Sequence, residues 1–200
     1  LLDMGPYYFS GLVSLFGAVD RVSAVGRKAR EERVIHTGPQ AGTAFPVEVP
    51  TTVQVVTAFD SGQQAQSLLS FDSALERAGV FEVHGTEGSI VLPDPNQFAG
   101  RIAYVKPLGV LRDGMSVDQE WIDIPQEGVV VGRGLGLLDM VRAIAEGRPH
   151  IASGDLALHV LDVMLSAEQS IATGDTVRVS STVDAVPAVD GGFDPFARTL

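Results

Sequence analysis

The sequence contains no cysteine. That excludes disulfides, thiolate metal sites and a cysteine nucleophile together. It suits a reducing compartment, and a cytoplasmic location is the expectation. Cationic residues are scarce as well: 14 Lys and Arg stand against 25 Asp and Glu, a net charge of −11 at pH 7. A polyanion repels phosphate backbones and anionic lipid surfaces, so no nucleic acid and no membrane is expected as a partner. No uninterrupted apolar run approaches the roughly 18 residues of a transmembrane helix. No basic segment leads into an apolar one as in a secretory signal. The four histidines, His36, His84, His150 and His159, are scattered, and none pairs at the spacing of a zinc-binding helix. No metal is expected.

What is present is enough apolar sequence for one domain with a substantial core: 45% hydrophobic residues over 200 positions. The stretch Leu1 to Gly17 organises the reading. It sets a carboxylate, Asp3, four residues before a phenol, Tyr7, at the entrance to an apolar helix. Pro6 suits a first helical turn, where its missing N–H would be an orphan anyway. Phe9, Leu12, Val13, Leu15 and Phe16 follow near one face of a 3.6-residue period. Gly17 is a natural residue to close the helix. A helix beginning near Asp3 places Asp3 and Tyr7 on one face, pointing the same way. A carboxylate and a phenol there make a polar corner of a pocket; the plainer alternative is an Asp3 cap and a half-buried Tyr7.

This stretch resembles the start of the C-terminal domain of the glucose–fructose oxidoreductase, inositol dehydrogenase and MocA family. Asp3, Gly5, Tyr7 and Gly17 match that family's pattern. Many members carry His where Tyr7 stands, and the Tyr form is similar to the branch with glucose–fructose oxidoreductase and dimeric dihydrodiol dehydrogenase. A second Asp often found three residues further on is Ser10 here. Two later runs are similar too: His84 to Ser89 leading into Leu92-Pro93-Asp94-Pro95-Asn96, and Arg148 to Gly154 leading into Ala157 to Leu161 and Ser166-Ala167-Glu168. The chain opens on Leu1, without Met, inside an apolar motif. It is expected to be a fragment, and the resemblance implies a missing N-terminal Rossmann domain.

Along the chain, Val19 to Val25 reads as a strand in which Arg21 falls out of step. Gly26 to Glu32 carries five charges and reads as a solvated loop or strand edge. Arg33 to Thr37 is a short strand candidate, and Gly38 to Pro50 a connection. Thr51 to Phe59 and Gln63 to Phe71 form a hairpin about the turn Asp60-Ser61-Gly62. Phe81 to Leu92 holds two short strands around Gly85 to Gly88, with His84 as a strand residue. Arg101 to Val105 and Glu120 to Ile124 are further strands, and Trp121 in the second reads as packing. Gly132 to Leu137 imitates a glycine-rich dinucleotide turn, but Leu137 stands where a third glycine is needed. It reads as a run into a helix, Leu137 to Glu146, ending at Gly147. Ser153 or Asp155 caps a second helix, Leu156 to Thr173, closed by Gly174 and apolar on more than one side, hence expected to be well buried. His159 in it reads as a core histidine. Thr176 to Ser180 is a last strand.

Strands segregated from helices imply an α+β domain with a large, mostly antiparallel open sheet and helices on one face. The expected division is 1–182 for a substrate-binding and oligomerisation domain and 183–200 for an extended or partly disordered tail. The resemblance implies a dihydrodipicolinate-reductase-like C-terminal domain and a homo-oligomer through the free sheet face. It also implies NAD or NADP held mainly by the missing domain, with no cofactor-binding residue in this chain, and hydride transfer at a sugar, polyol or dihydrodiol hydroxyl. A phenol, ordinarily titrating near 10, does proton work near neutrality only beside a cation; the resemblance puts that lysine in the nucleotide-binding half. Tyr7 is then the catalytic acid–base or its partner, and Asp3 binds a second substrate hydroxyl. The alternative is a non-catalytic oligomerisation or scaffold domain of the same fold.

Overall fold

The computed structural model describes residues 1–75, 80–107, 120–129 and 131–198. In chain order the described elements are α1 (Gly5–Phe16), β1 (Val19–Arg27), β2 (Glu32–Val34), β3 (Ala44–Pro46), β4 (Thr52–Phe59), β5 (Gln64–Ser70), β6 (Phe81–Gly85), β7 (Gly88–Leu92), β8 (Ile102–Val105), β9 (Ile122–Ile124), α2 (Leu135–Glu146), α3 (Gly154–Thr173) and β10 (Val177–Arg178). Every pairing among them is antiparallel. The fold class is therefore α+β, as expected. The strands divide into a sheet of order β10-β1-β4-β5, a ribbon β2-β3 and a sheet of order β6-β7-β8-β9. The chain forms two compact units, residues 1–76 with 152–187 and residues 77–151 with 188–200, and residue 182 lies inside the first.

In the first unit, β4 shows why its sheet is one-sided. Val53, Val55, Thr57 and Phe59 are buried while Gln54 and Val56 between them are exposed, the two-residue period of a half-covered strand. In β1 the buried positions are Val19, then Val22 and Ala24. The register against β4 shifts between Val19 and Arg21, so a bulge resets the alternation where Arg21 falls out of step. The ribbon β2-β3 places a strand inside the expected connection Gly38 to Pro50. Proline-rich sequence hid it, because β3 is only three residues long and wholly exposed.

α3 packs along β1 and against α1. Two of its side chains reach strand backbone: the Val19 amide donates to His159 Nε2 at 2.9 Å and the Ala24 amide to Ser170 Oγ at 2.8 Å. Eleven residues of helix rise about 16 Å, and five residues of strand span about 16 Å, so the two contacts fit one parallel alignment. β10 pairs only Arg21 and Val22 of β1, and Val19 and Ala24 flank that pairing. The helix thus takes up amides that the short edge strand leaves. Ser170 also donates to the Asp175 carbonyl at 2.6 Å.

In the second unit, Gly85 pairs with Gly88 across the two-residue turn of the β6-β7 hairpin. Gly88 has φ 148°, and a Cβ there would lie 2.2 Å from the Val105 carbonyl oxygen. α2 ends in a left-handed Gly147, with the Arg148 amide returning to the Ala143 carbonyl at 3.0 Å, a glycine-terminated cap. Asp139, buried on α2, accepts the Ile151 amide at 2.8 Å and Arg148 Nη1 at 2.8 Å. The Ile151 amide, with Arg148 behind it, holds the Asp139 carboxyl below its usual range against the opposing effect of burial. The terminal segment has no helix or strand among its described residues, yet Arg142 donates to the Asp194 and Ala197 carbonyls at 2.8 Å each and lies over the Phe193 ring. Residues 199–200 of the expected tail lie outside the described residues.

Candidate functional site

α1 is held from beneath. Gly5, Phe9, Leu12 and Val13 are its buried residues, the i, i+4, i+7, i+8 stripe of a core-facing helix. A Cβ on Gly5 would sit 2.8 Å from Met164 Sδ, so glycine lets α1 approach α3 closely. At the other end Gly17 has φ 83° and donates to the Val13 carbonyl. The Ser61 hydroxyl donates to the Phe16 carbonyl at 2.8 Å, satisfying one of the carbonyls a helix end leaves open. The Phe16 and Phe59 rings stand 5.3 Å apart. Leu15, expected on the apolar face, is exposed: at 100° per residue it lies about 120° from Phe9.

The face away from that core carries Tyr7, Gly11 and Ser14, one turn apart in succession. Tyr7 is 40% exposed. Asp3 is exposed in the turn before the helix, not within it. That turn is already helix-like, since the Gly5 amide donates to the Leu1 carbonyl at 2.8 Å and Met4 has φ −94° and ψ −24°. Met4 is the N-cap, and no side chain caps the helix. Asp3 therefore does not serve as the cap that the plainer alternative assigned to it. Among the described residues neither the Asp3 carboxylate nor the Tyr7 hydroxyl has a hydrogen-bond or ion-pair partner.

The other candidates resolve into structure. His159 is fully buried with both ring nitrogens engaged: Nε2 accepts from Val19, so Nδ1 carries the proton and donates to Ser181 Oγ at 3.0 Å. Burial lowers its pKa, against the opposing effects of Ser181, Asp162 and Asp60. Asp162 accepts the Ser180 and Ser181 amides. His84 is a strand residue bonded to Ser89 Oγ at 2.8 Å. Trp121, expected as packing, is 42% exposed with the Arg101 guanidinium 5.5 Å from its ring. Within the glycine run, Gly134 is a left-handed residue with no side-chain cap that opens α2 at Leu135, two residues before the expected start, so Gly136 is helical. α2 is followed by α3 rather than by a strand, so the described residues do not build a dinucleotide cradle there.

One polar cluster escaped the sequence reading. Asp72 accepts the hydroxyls of Thr51 at 2.5 Å and Thr52 at 2.9 Å and lies 3.8 Å from Arg33. The Thr51 hydroxyl, joined by Thr52, Arg33 and Arg30, lowers the Asp72 pKa against burial. No spacing announces it, because the partners meet only when β4 and β5 pair. It ties a strand end and is structural.

Residues 1–91 match the family model of the GFO/IDH/MocA C-terminal domain. No curated protein matches the chain in sequence. Among solved structures, a levoglucosan dehydrogenase in its apo form superposes with TM-score 0.71 at 20% identity, over 90% of this chain and 51% of its own. An NAD binding oxidoreductase from Klebsiella pneumoniae gives 0.67 at 21%, over 90% and 50%. An aldose-aldose oxidoreductase from Caulobacter crescentus gives 0.59 at 21%, over 89% and 47%. At these identities the likeness establishes the fold. The chain spans about half the length of these neighbours.

Proposed function

Because residues 1–91 match the model of the GFO/IDH/MocA C-terminal domain, we propose that the chain is the substrate-facing part of an NAD(P)-dependent oxidoreductase acting on a sugar, polyol or dihydrodiol hydroxyl. The observation that carries this reading is the pair Asp3 and Tyr7, unpartnered and exposed at the mouth of a helix whose other face is core. Similar folds support it: the levoglucosan dehydrogenase has been solved with NADH and L-sorbose and with NADH and levoglucosan.

The nicotinamide cofactor supplies the hydride chemistry. In this reading it is held by a nucleotide-binding domain outside these residues, which the coverage of only about half of the NADH-bound neighbours supports. This chain's part is to bind and to move a proton. The Tyr7 hydroxyl exchanges the proton of the reacting hydroxyl, and the Asp3 carboxylate accepts a hydrogen bond from a second one, which orients a polyol. No described helix is long and apolar enough to cross a membrane; the absence of cysteine supports a cytoplasmic location. The outward face of the first sheet has two uncharged cross-strand rows at its centre, Val25, Gln54 and Leu68 in one and Ser23, Val56 and Gln66 in the next, with Arg21 and Arg27 at the two ends of β1; the central rows support pairing with a second copy. The same face is what a purely structural assembly domain would show, and activity separates the two readings.

The test is turnover by the natural polypeptide that contains these residues. NAD⁺ and NADP⁺ are offered with aldoses, anhydrosugars, polyols and a trans-dihydrodiol, following absorbance at 340 nm. Reduction with at least one of them is expected. No turnover across the panel in either direction overturns the enzymatic reading in favour of the assembly domain.

A further inference from the structure

The terminal segment carries a reactive geometry that the oxidoreductase reading does not use. Of the described aspartates, only Asp190 precedes a glycine. Its main-chain carbonyl accepts the Phe193 amide at 2.9 Å, and its side-chain Oδ1 accepts the Gly192 amide at 2.6 Å. A carboxylate that reaches the amide two residues on lies back over the amide between them. That amide, Gly191, has no hydrogen-bond partner among the described residues. Glycine at 192 lets the carboxylate come in, since a Cβ there would stand 3.1 Å from Oδ1. Behind the turn, a Cβ on Gly128 would meet the Gly191 carbonyl oxygen at 3.4 Å.

We propose that Asp190 is a site of spontaneous isomerisation to isoaspartate, promoted by its own turn. The Gly191 nitrogen bonds to Asp190 Cγ. Oδ2 leaves as water, taking the amide proton and one proton from solvent. The succinimide so formed then takes up one water. Opening at the main-chain carbonyl leaves the chain running through Cγ, with a free main-chain carboxylate. Nothing is oxidised or reduced, and the mass is unchanged. Three features of the turn favour ring closure. The attacking nitrogen has no competing partner. It belongs to a glycine, with no side chain to block the approach. The Gly192 amide is already placed on the oxygen where negative charge develops, as an oxyanion-hole donor is.

Isomerisation has a mechanical consequence. The acceptor of the Phe193 amide becomes a carboxylate, and the main chain gains one atom between Asp190 and Gly191. The Arg142 guanidinium lies 4.9 Å from the Phe193 ring and donates to the Asp194 and Ala197 carbonyls at 2.8 Å each. All of these residues belong to the second unit. The reaction therefore loosens the terminal segment from α2. The inference is independent of the oxidoreductase reading and of the sheet face.

The test incubates the natural polypeptide and a synthetic peptide of residues 184–196 at 37 °C and pH 7.4. The tryptic fragment 179–198 is then mapped by electron-transfer fragmentation, which tells isoaspartate from aspartate at Asp184, Asp190 and Asp194. Isoaspartate is expected at Asp190 alone. It should form at least about threefold faster in the folded chain than in the peptide, a small share of the 10²–10³ that an enclosed oxyanion donor gives. Gly191 has no left-handed φ and open space where a Cβ would sit, so Gly191→Ala keeps the turn and is expected to slow closure severalfold. Hydrogen exchange at the amides of 191–197 is expected to rise severalfold in the isomerised material. Equal or slower formation in the folded chain overturns the proposal. So does isoaspartate at Asp184 at the same rate, an unchanged rate in Gly191→Ala, or unchanged exchange after isomerisation.

Discussion

Tyr7 combines a rigid base with a free hydroxyl. Its backbone belongs to a helix seated on Phe9, Leu12 and Val13, yet its ring faces outward. Removing the hydroxyl should therefore leave the fold intact and act on the chemical step alone. In the natural polypeptide Tyr7→Phe is expected to lower kcat by about 10²–10⁴, measured by steady-state kinetics; wild-type turnover would reassign the role. His159 is the converse, a titratable group wholly inside. Its folded pKa lies below the usual value, so the unfolded chain binds the proton more readily. The stability it contributes is fully present above about pH 6.5 and is lost as pH falls toward the folded value, by at most about 1.4 kcal/mol per pH unit for one proton. Urea unfolding of wild type and His159→Gln should show a gap that narrows between pH 7.5 and 5. A constant gap would contradict the assignment. Burial of His159 was legible, since a lone histidine amid Leu158, Val160 and Leu161 has no other ligand nearby. The Asp72 cluster was not, because Thr52 and Thr51 lie 20 and 21 residues back across a strand pair and Arg33 further still.

Elements with a strong period or a clear terminator were readable. Gly17, Gly147 and Gly174 end the helices as expected, and Ser153 caps α3 by accepting the Leu156 amide at 3.1 Å. What misled was packing that periodicity does not encode. The β2-β3 ribbon buries almost nothing, so it leaves no apolar signature. The bulge in β1 looks like noise until β4 supplies the register. The β6-β7 hairpin gives the sharpest test at this scale. Gly88 is needed for its positive φ and for the absence of a Cβ against the Val105 carbonyl. Gly88→Ala is expected to destabilise the second unit by about 1–3 kcal/mol, the scale of local backbone strain, read as a lower denaturant midpoint. An unchanged midpoint would show that β7 and β8 can slide apart at no cost.

For the molecule as a whole, the α+β class followed from the order of strands and helices. The partition into two units did not, because it depends on which strands share a sheet, and hydrophobic pattern alone does not say so. The 200-residue chain is expected to show no binding of NADH or NADPH by titration calorimetry, since the glycine-rich turn before α2 lacks its third glycine and α2 leads into α3 rather than into a strand. Micromolar affinity would place a nucleotide site in residues assigned otherwise. The first unit is also discontinuous: β1, β4 and β5 of its sheet are encoded before residue 76, and α3, which packs along β1, and the edge strand β10 only after residue 152. A ribosome therefore releases β1, β4 and β5 well before α3. Until Ser170 emerges, the Ala24 amide has only water to bind, and the inner face of Val22, Val53 and Val55 stays wet. The second unit waits as well, because residues 188–200, whose Asp194 and Ala197 carbonyls hold Arg142 of α2, are the last to emerge; translation runs almost to its end before either unit has all its parts.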